Sequence, residues 1–240
     1  MTTLSVLDVS EHHATRVAMD FGPAFGDAVN QTRVFASELP LVQRDYPIFF
    51  RQDESGAFIS VALLGLERDE NLYLDLWRTE QVYIPALHRR GPFSIGVRAA
   101  QVDGGAPEHI IQIDTADARV GASNGQALFL DHGGHSPFLQ SMTDCLRTIG
   151  DGLTLDTSFH QVLLEHDLLE SVTIDLQVSE TENVSIPDVF AINQDKFLAL
   201  APAALKELQS NGTLSLIYAA LFSLSNTSRL LSLKYAGGAH

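Results

Sequence analysis

The sequence predicts an α+β fold, with a mainly antiparallel β-sheet in the first half and helices clustered in the second. Short apolar runs bounded by turn residues dominate residues 46–114. From residue 136 onward apolar residues recur at helical spacing, and strand–helix–strand alternation is never sustained.

The elements follow in order. Residues up to about 30 contain Phe21-Gly22-Pro23-Ala24-Phe25-Gly26, whose two Phe-Gly pairs around a proline predict a loop with rings docked on the body or gripping a ligand. Tyr46-Pro47-Ile48-Phe49-Phe50 and residues 58–66 are apolar runs joined by the acidic, Gly-ended segment 52–56, which predicts a β-hairpin. The second run is apolar almost throughout and is expected to be covered on both faces. Residues 71–77 alternate Leu72, Leu74 and Leu76 with Tyr73 and Asp75, which predicts a third strand. Residues 84–93 predict a turn or a single helical turn ended by Gly91-Pro92. Two further strands are expected at 93–102 and 109–114, separated by a turn at 103–107.

Ser136-Pro137 predicts an N-cap with proline in the first turn. Phe138, Leu139, Met142, Cys145, Leu146 and Ile149 then mark one helical face, closed by Gly150, and a second helix is expected at about 156–166. Strands are expected at 172–178 and 184–192. Helices follow at 195–200, 202–208 and 213–225, with Asn211-Gly212 as a stop. The chain is expected to be one domain over 1–240, with a seam near the glycine-rich stretch 121–135.

Thirty acidic against fifteen basic residues give a net charge of −15, a field that repels phosphate backbones and anionic lipid surfaces. Nucleic acid is therefore not an expected partner. No signal peptide or membrane span is expected: the strongest apolar stretch, 214–224, is far shorter than the roughly 20 residues a spanning helix needs. A soluble, cytoplasmic protein is the expectation. Core burial is the first reading of that stretch, and partner docking the second. The single cysteine, Cys145, excludes an internal disulfide and is expected to be a small buried apolar residue.

Within this acidic chain Arg78, Arg89, Arg90 and Arg98 cluster in sequence beside His88. They read either as partners of nearby carboxylates such as Asp75 and Glu80, or as an anion- or partner-docking site, which the forked guanidinium suits. Phe21 and Phe25 are the aromatic contact candidates. Asp131-His132-Gly133-Gly134-His135 offers His132 and His135 as weak metal ligands, with His160 and His166 as distant supplements. A solvated glycine-rich loop is the plainer reading, and no cofactor is expected. Glu165-His166-Asp167 and His12-His13 read as surface groups. No nucleophile elbow or phosphate-binding glycine loop is present.

Tyr46-Pro47-Ile48-Phe49-Phe50, Val61 to Leu66, Glu70-Asn71-Leu72, Trp77, Tyr83-Ile84-Pro85-Ala86, Arg89-Arg90 and Pro92-Phe93 together resemble the SapC family. Phe21-Gly22, Phe25-Gly26, Leu128-Phe129, Ser136-Pro137, Phe190, Lys196, Ser225-Asn226 and Arg229-Leu230 extend the resemblance over most of the chain. The sequence departs from it at His88 and Gly91, where the family commonly carries leucine or another residue and an aromatic. The resemblance implies a link to bacterial surface-layer formation and a setting beside TonB-dependent receptors, tryptophan-halogenase-like proteins and cupin-like dioxygenases. It supplies no catalytic residues, and the permease label some relatives carry conflicts with the hydropathy here. The resulting expectation is an accessory or binding protein acting through protein–protein contacts in nutrient uptake or an envelope system. The alternatives are an enzyme, or enzyme helper, working with such partners on a peptide or amino-acid substrate, and a surface-layer component.

Overall fold

The structure, a computed structural model, describes residues 2–98, 108–177 and 183–237. In chain order the elements are β1 (Leu4–Val6), α1 (Val9–His12), β2 (Arg16–Val17), β3 (Gln31–Val34), α2 (Leu39–Val42), β4 (Ile48–Gln52), β5 (Phe58–Leu63), α3 (Leu74–Arg78) and α4 (Ala86–Arg89). There follow β6 (Phe93–Arg98), β7 (Glu108–Asp114), β8 (Gln126–Ala127), α5 (Pro137–Glu165), β9 (Leu169–Gln177), β10 (Asn183–Ile192), α6 (Gln194–Leu198), α7 (Pro202–Ser210), α8 (Thr213–Ser223) and α9 (Thr227–Gly237). Every described strand pairing is antiparallel, and the fold is α+β. The predicted turn at 103–107 lies outside the described residues.

The chain divides into two compact units, each built from two separated segments: Met1–Asp20 with Ala86–Gly150, and Phe21–Pro85 with Asp151–His240. In the first unit β1-β7-β6 form a small sheet and β2-β8 a two-stranded one. Its core joins Val17, Phe93, Ile113, Leu128 and Phe129 to Phe138, Leu139, Met142 and Leu146 of α5. The predicted N-cap is present: the Ser136 hydroxyl accepts from the Leu139 amide at 3.1 Å and donates to the Ala127 carbonyl at 2.6 Å. Cys145 is fully buried, as its place on the apolar face predicted.

The second unit carries a five-stranded sheet, β3-β5-β4-β10-β9. The β4–β5 hairpin forms in register Phe50↔Ser60, β5 lies between two strands, and residues 60–66 are buried throughout. The aromatic core includes Phe50 against Phe159, with ring centroids 6.1 Å apart.

Two predicted elements are corrected. Residues 71–77 do not form a strand: the Asn71 side chain accepts the Tyr73 amide at 2.9 Å, starting a turn that leads into α3. The fully buried positions are Tyr73 and Trp77, four residues apart, a helical spacing that outweighs the leucine alternation. Gly150 does not end its helix either, because α5 runs unbroken to Glu165. A glycine inside a helix costs about 1 kcal/mol against alanine. At Gly152 that cost has a structural return, since a Cβ there would stand 2.3 Å from the Phe35 Cβ and 2.7 Å from the Ser37 Oγ. Close packing therefore requires glycine at this point of the helix, where the sequence pattern suggests a stop.

Gly152→Ala is expected to lower unfolding free energy by about 1–3 kcal/mol, since Phe35 meets the new methyl at its Cβ and cannot rotate clear. Urea denaturation checks this, and an unchanged midpoint refutes the close-approach argument.

Candidate functional site

Arg78 and the Phe21 loop meet within the second unit. The Arg78 Nε and Nη2 donate to the Phe21 carbonyl at 3.2 and 3.1 Å, while its Nη1 pairs with Asp75 at 2.7 Å. Phe21 is buried edge-on against Trp77, with centroids 5.8 Å apart. Gly22 donates its amide to Asp27 at 2.9 Å, closing a 3-10 turn over Pro23–Phe25, where Phe25 is half-buried. Arg78 thus fastens this aromatic loop, and the loop packs its leading ring inward. The Asp75 pair itself is exposed and contributes little.

His88, Arg89, Arg90 and Arg98 belong to the first unit. His88 and Arg89 are half-buried on the single turn α4. Arg90 donates to the Phe93 carbonyl at 2.7 Å, and burial, reinforced by the neighbouring Arg119 charge, pulls its pKa below the ordinary arginine value. Arg119 is buried and pairs with Asp117 at 2.7 Å, which holds Asp117 below the usual carboxylate range. Gly91 adopts φ +54 with Met19 3.3 Å from where a Cβ would stand. The departure from an aromatic residue there accompanies a left-handed backbone that side chains avoid.

Arg98 and His135 line one groove of about 460 Å³ in the first unit. Its walls are Val6 to Val9, the β7 segment Glu108 to Ile111, and Phe129 with Gly134 and His135. Arg98 pairs across the β6–β7 ladder with Glu108 at 3.5 Å. Asp8 caps α1 by accepting from the Ser10 amide at 2.7 Å, and hydrogen bonds from the Ser10 side chain and backbone hold it below the usual carboxylate range. The His135 ring packs on Phe129, centroids 6.0 Å apart, and His132 is exposed in the preceding turn. Among the described residues no group of three His, Cys, Asp or Glu side chains is placed to hold a metal ion.

His160 lies in the second unit, buried on the inner face of α5 and 3.0 Å from the Ser60 hydroxyl. Burial drives its pKa below 6.5; the Asp156 carboxylate opposes that shift and Arg33 adds to it. His166 is half-buried at the helix end.

The stretch 214–224, read from sequence as core or partner-docking surface, carries an exposed aromatic face on α8. Ile217, Ala219 and Ala220 are buried, whereas Tyr218 is 42% and Phe222 65% exposed. The two rings stack four residues apart, centroids 5.6 Å and planes 19° apart, and Phe197 of α6 meets Tyr218 edge-on at 5.3 Å. Pro40, Gln43, Ser215 and Ala219 complete a shallow apolar groove of about 430 Å³ with these rings. The stretch 214–224 is thus split between core and surface, and its uniform hydrophobicity reflects both. No described helix is long and apolar enough to cross a membrane.

A family model described as SapC matches residues 7–230. No curated protein and no solved structure matches the chain.

Arg90→Ala is expected to cost about 1–3 kcal/mol of stability, because it removes a charged donor from the buried Phe93 carbonyl. A melt indistinguishable from wild type would return Arg90 to the pool of free docking groups. His160 generates a pH dependence: its native pKa lies below the unfolded value of 6.5, so the unfolded chain binds the extra proton first. Its stabilising contribution is complete above pH 6.5 and is lost as pH falls from there through the native pKa. Thermal melts of His160→Gln against wild type should converge as pH is lowered from 8 toward 5, and a constant gap would refute this.

Proposed function

The chain belongs to the SapC family, and from that premise we propose that it is an accessory binding protein acting through protein–protein contacts made by the aromatic face of α8. The exposed Tyr218–Phe222 stack carries this reading. Large aromatic side chains left in water beside an apolar groove mark contact surfaces, and tyrosine and phenylalanine are enriched in interface cores. The partner that fits is a protein presenting an apolar strip, the counterpart of the groove between Pro40, Gln43 and the two rings. The net charge of −15 disfavours an anionic partner and favours one with a basic rim. The receptor, halogenase-like and dioxygenase-like proteins implied by the family setting are the first partners to try. The arginines fit a supporting role, because Arg78 and Arg90 are engaged with the carbonyls of their own units.

The experiment compares wild type with a Tyr218→Ala/Phe222→Asp variant in binding a partner purified from native extract and re-mixed as isolated protein. The expected outcome is a loss of affinity of at least tenfold, roughly 1.4 kcal/mol or more, with an unchanged melt. Equal affinity of the two proteins overturns the proposal.

A further inference from the structure

The first unit contains an unfinished sheet edge. β1 covers β7 only at Gln112, Ile113 and Asp114, and one further bond runs from the Leu7 amide to the Ile111 carbonyl at 2.8 Å. At Asp8 the chain turns away into α1. Backbone groups alternate sides along an antiparallel strand. Since the Ile111 carbonyl faces β1, the N–H and C=O of His109 face the same edge, and no described residue pairs with them. The Ile111 N–H shares that edge and also lacks a described acceptor. Glu108 and His109 are exposed. This bare stretch of β7 lines the 460 Å³ groove together with Phe129 and His135.

We propose that the free edge of β7 at His109 accepts an extended peptide by strand addition, continuing the line that β1 and Leu7 leave. Three features identify the occupant as peptide backbone. The open groups are the N–H and C=O of His109 on one edge, the donor–acceptor pair that a residue of an extended chain complements. The groove beside it offers apolar side chains, Ile111 and Phe129 among them, for side chains of the bound peptide. Its carboxylates are already engaged, Asp8 with Ser10 and Glu108 with Arg98, whereas the imidazoles of His109 and His135 make no hydrogen bond among the described residues. Peptides with an acidic or amide side chain in register with those rings are therefore preferred. This site is independent of the α8 face, so either survives the failure of the other.

Proline at position 109 makes the test specific. It deletes the groove-facing N–H but none of the β6–β7 bonds, which come from even-numbered residues such as Ile110. A random heptapeptide library is selected on the full chain, with His109→Ala and His109→Pro in parallel. Enriched peptides should bind His109→Ala within about threefold of wild type and His109→Pro at least tenfold more weakly. N-methylation of alternate amides in those peptides should abolish binding. The His109 amide should exchange rapidly in the free protein and slowly with peptide bound. Equal loss in the alanine and proline variants assigns recognition to the imidazole and overturns strand addition. So does a library that enriches nothing over His109→Pro, or a His109 amide already protected in the free chain.

Discussion

The buried hydroxyl of Tyr46 organises much of the second unit. It accepts the Trp77 indole N–H at 2.7 Å and donates to the Tyr83 carbonyl, so a strand-leading residue, a helix and a loop are joined through one atom. Neighbouring Asp45 accepts from the Tyr83 amide at 3.0 Å and from Arg229 of α9 at 2.8 Å, while the Tyr73 hydroxyl donates to its carbonyl at 3.2 Å. Burial drives both tyrosine pKa values up, keeping the hydroxyls protonated as the donors the network needs. Polar groups at this depth are tolerated only when paired, and here the pairing also fixes where α3 and α9 rest. The Asn226 side chain donates to the Gln43 and Tyr46 carbonyls, so the segment leading into the closing helix is tied to backbone groups 183 and 180 positions away in sequence.

A second constraint is electrostatic. Although the protein is strongly acidic, several of its arginines work internally: Arg119 on Asp117, Arg33 on Asp156, Arg78 and Arg90 on carbonyls. Asp156 illustrates the economy, accepting Arg33 at 3.0 Å and the Ala36 amide at 2.8 Å from within α5. Lys234 is likewise engaged with Glu67 and Glu70. Burial alone would raise the Glu70 pKa, but the lysine and two backbone amides outweigh it and hold it low.

The α+β class, the central hairpin, the Ser136 cap and the buried Cys145 were legible because each depends on neighbours close in sequence. The misreadings at 71–77 and Gly150 share a cause. Local pattern favoured one answer, while distant contacts of Tyr73, Trp77 and Gly152 decided the other. β1 escaped notice because three residues carry no periodic signal, and with it went the exposed edge of β7. The α8 face was half visible: the stretch was flagged, but hydrophobicity cannot say which rings face water.

The segmented build of the two units bears on how the chain matures during synthesis. β4 finds its second strand partner only at β10, where Phe50 meets Phe190, and the intervening chain must first be made. At about 5–20 residues per second the ribosome needs on the order of ten seconds to bridge that gap. Throughout that interval Phe49 and Phe50 sit on an unsealed sheet margin of a half-made unit, while the interposed first unit completes itself. Until β10 has been made, that margin is exposed apolar surface of the kind that makes half-folded chains prone to aggregate.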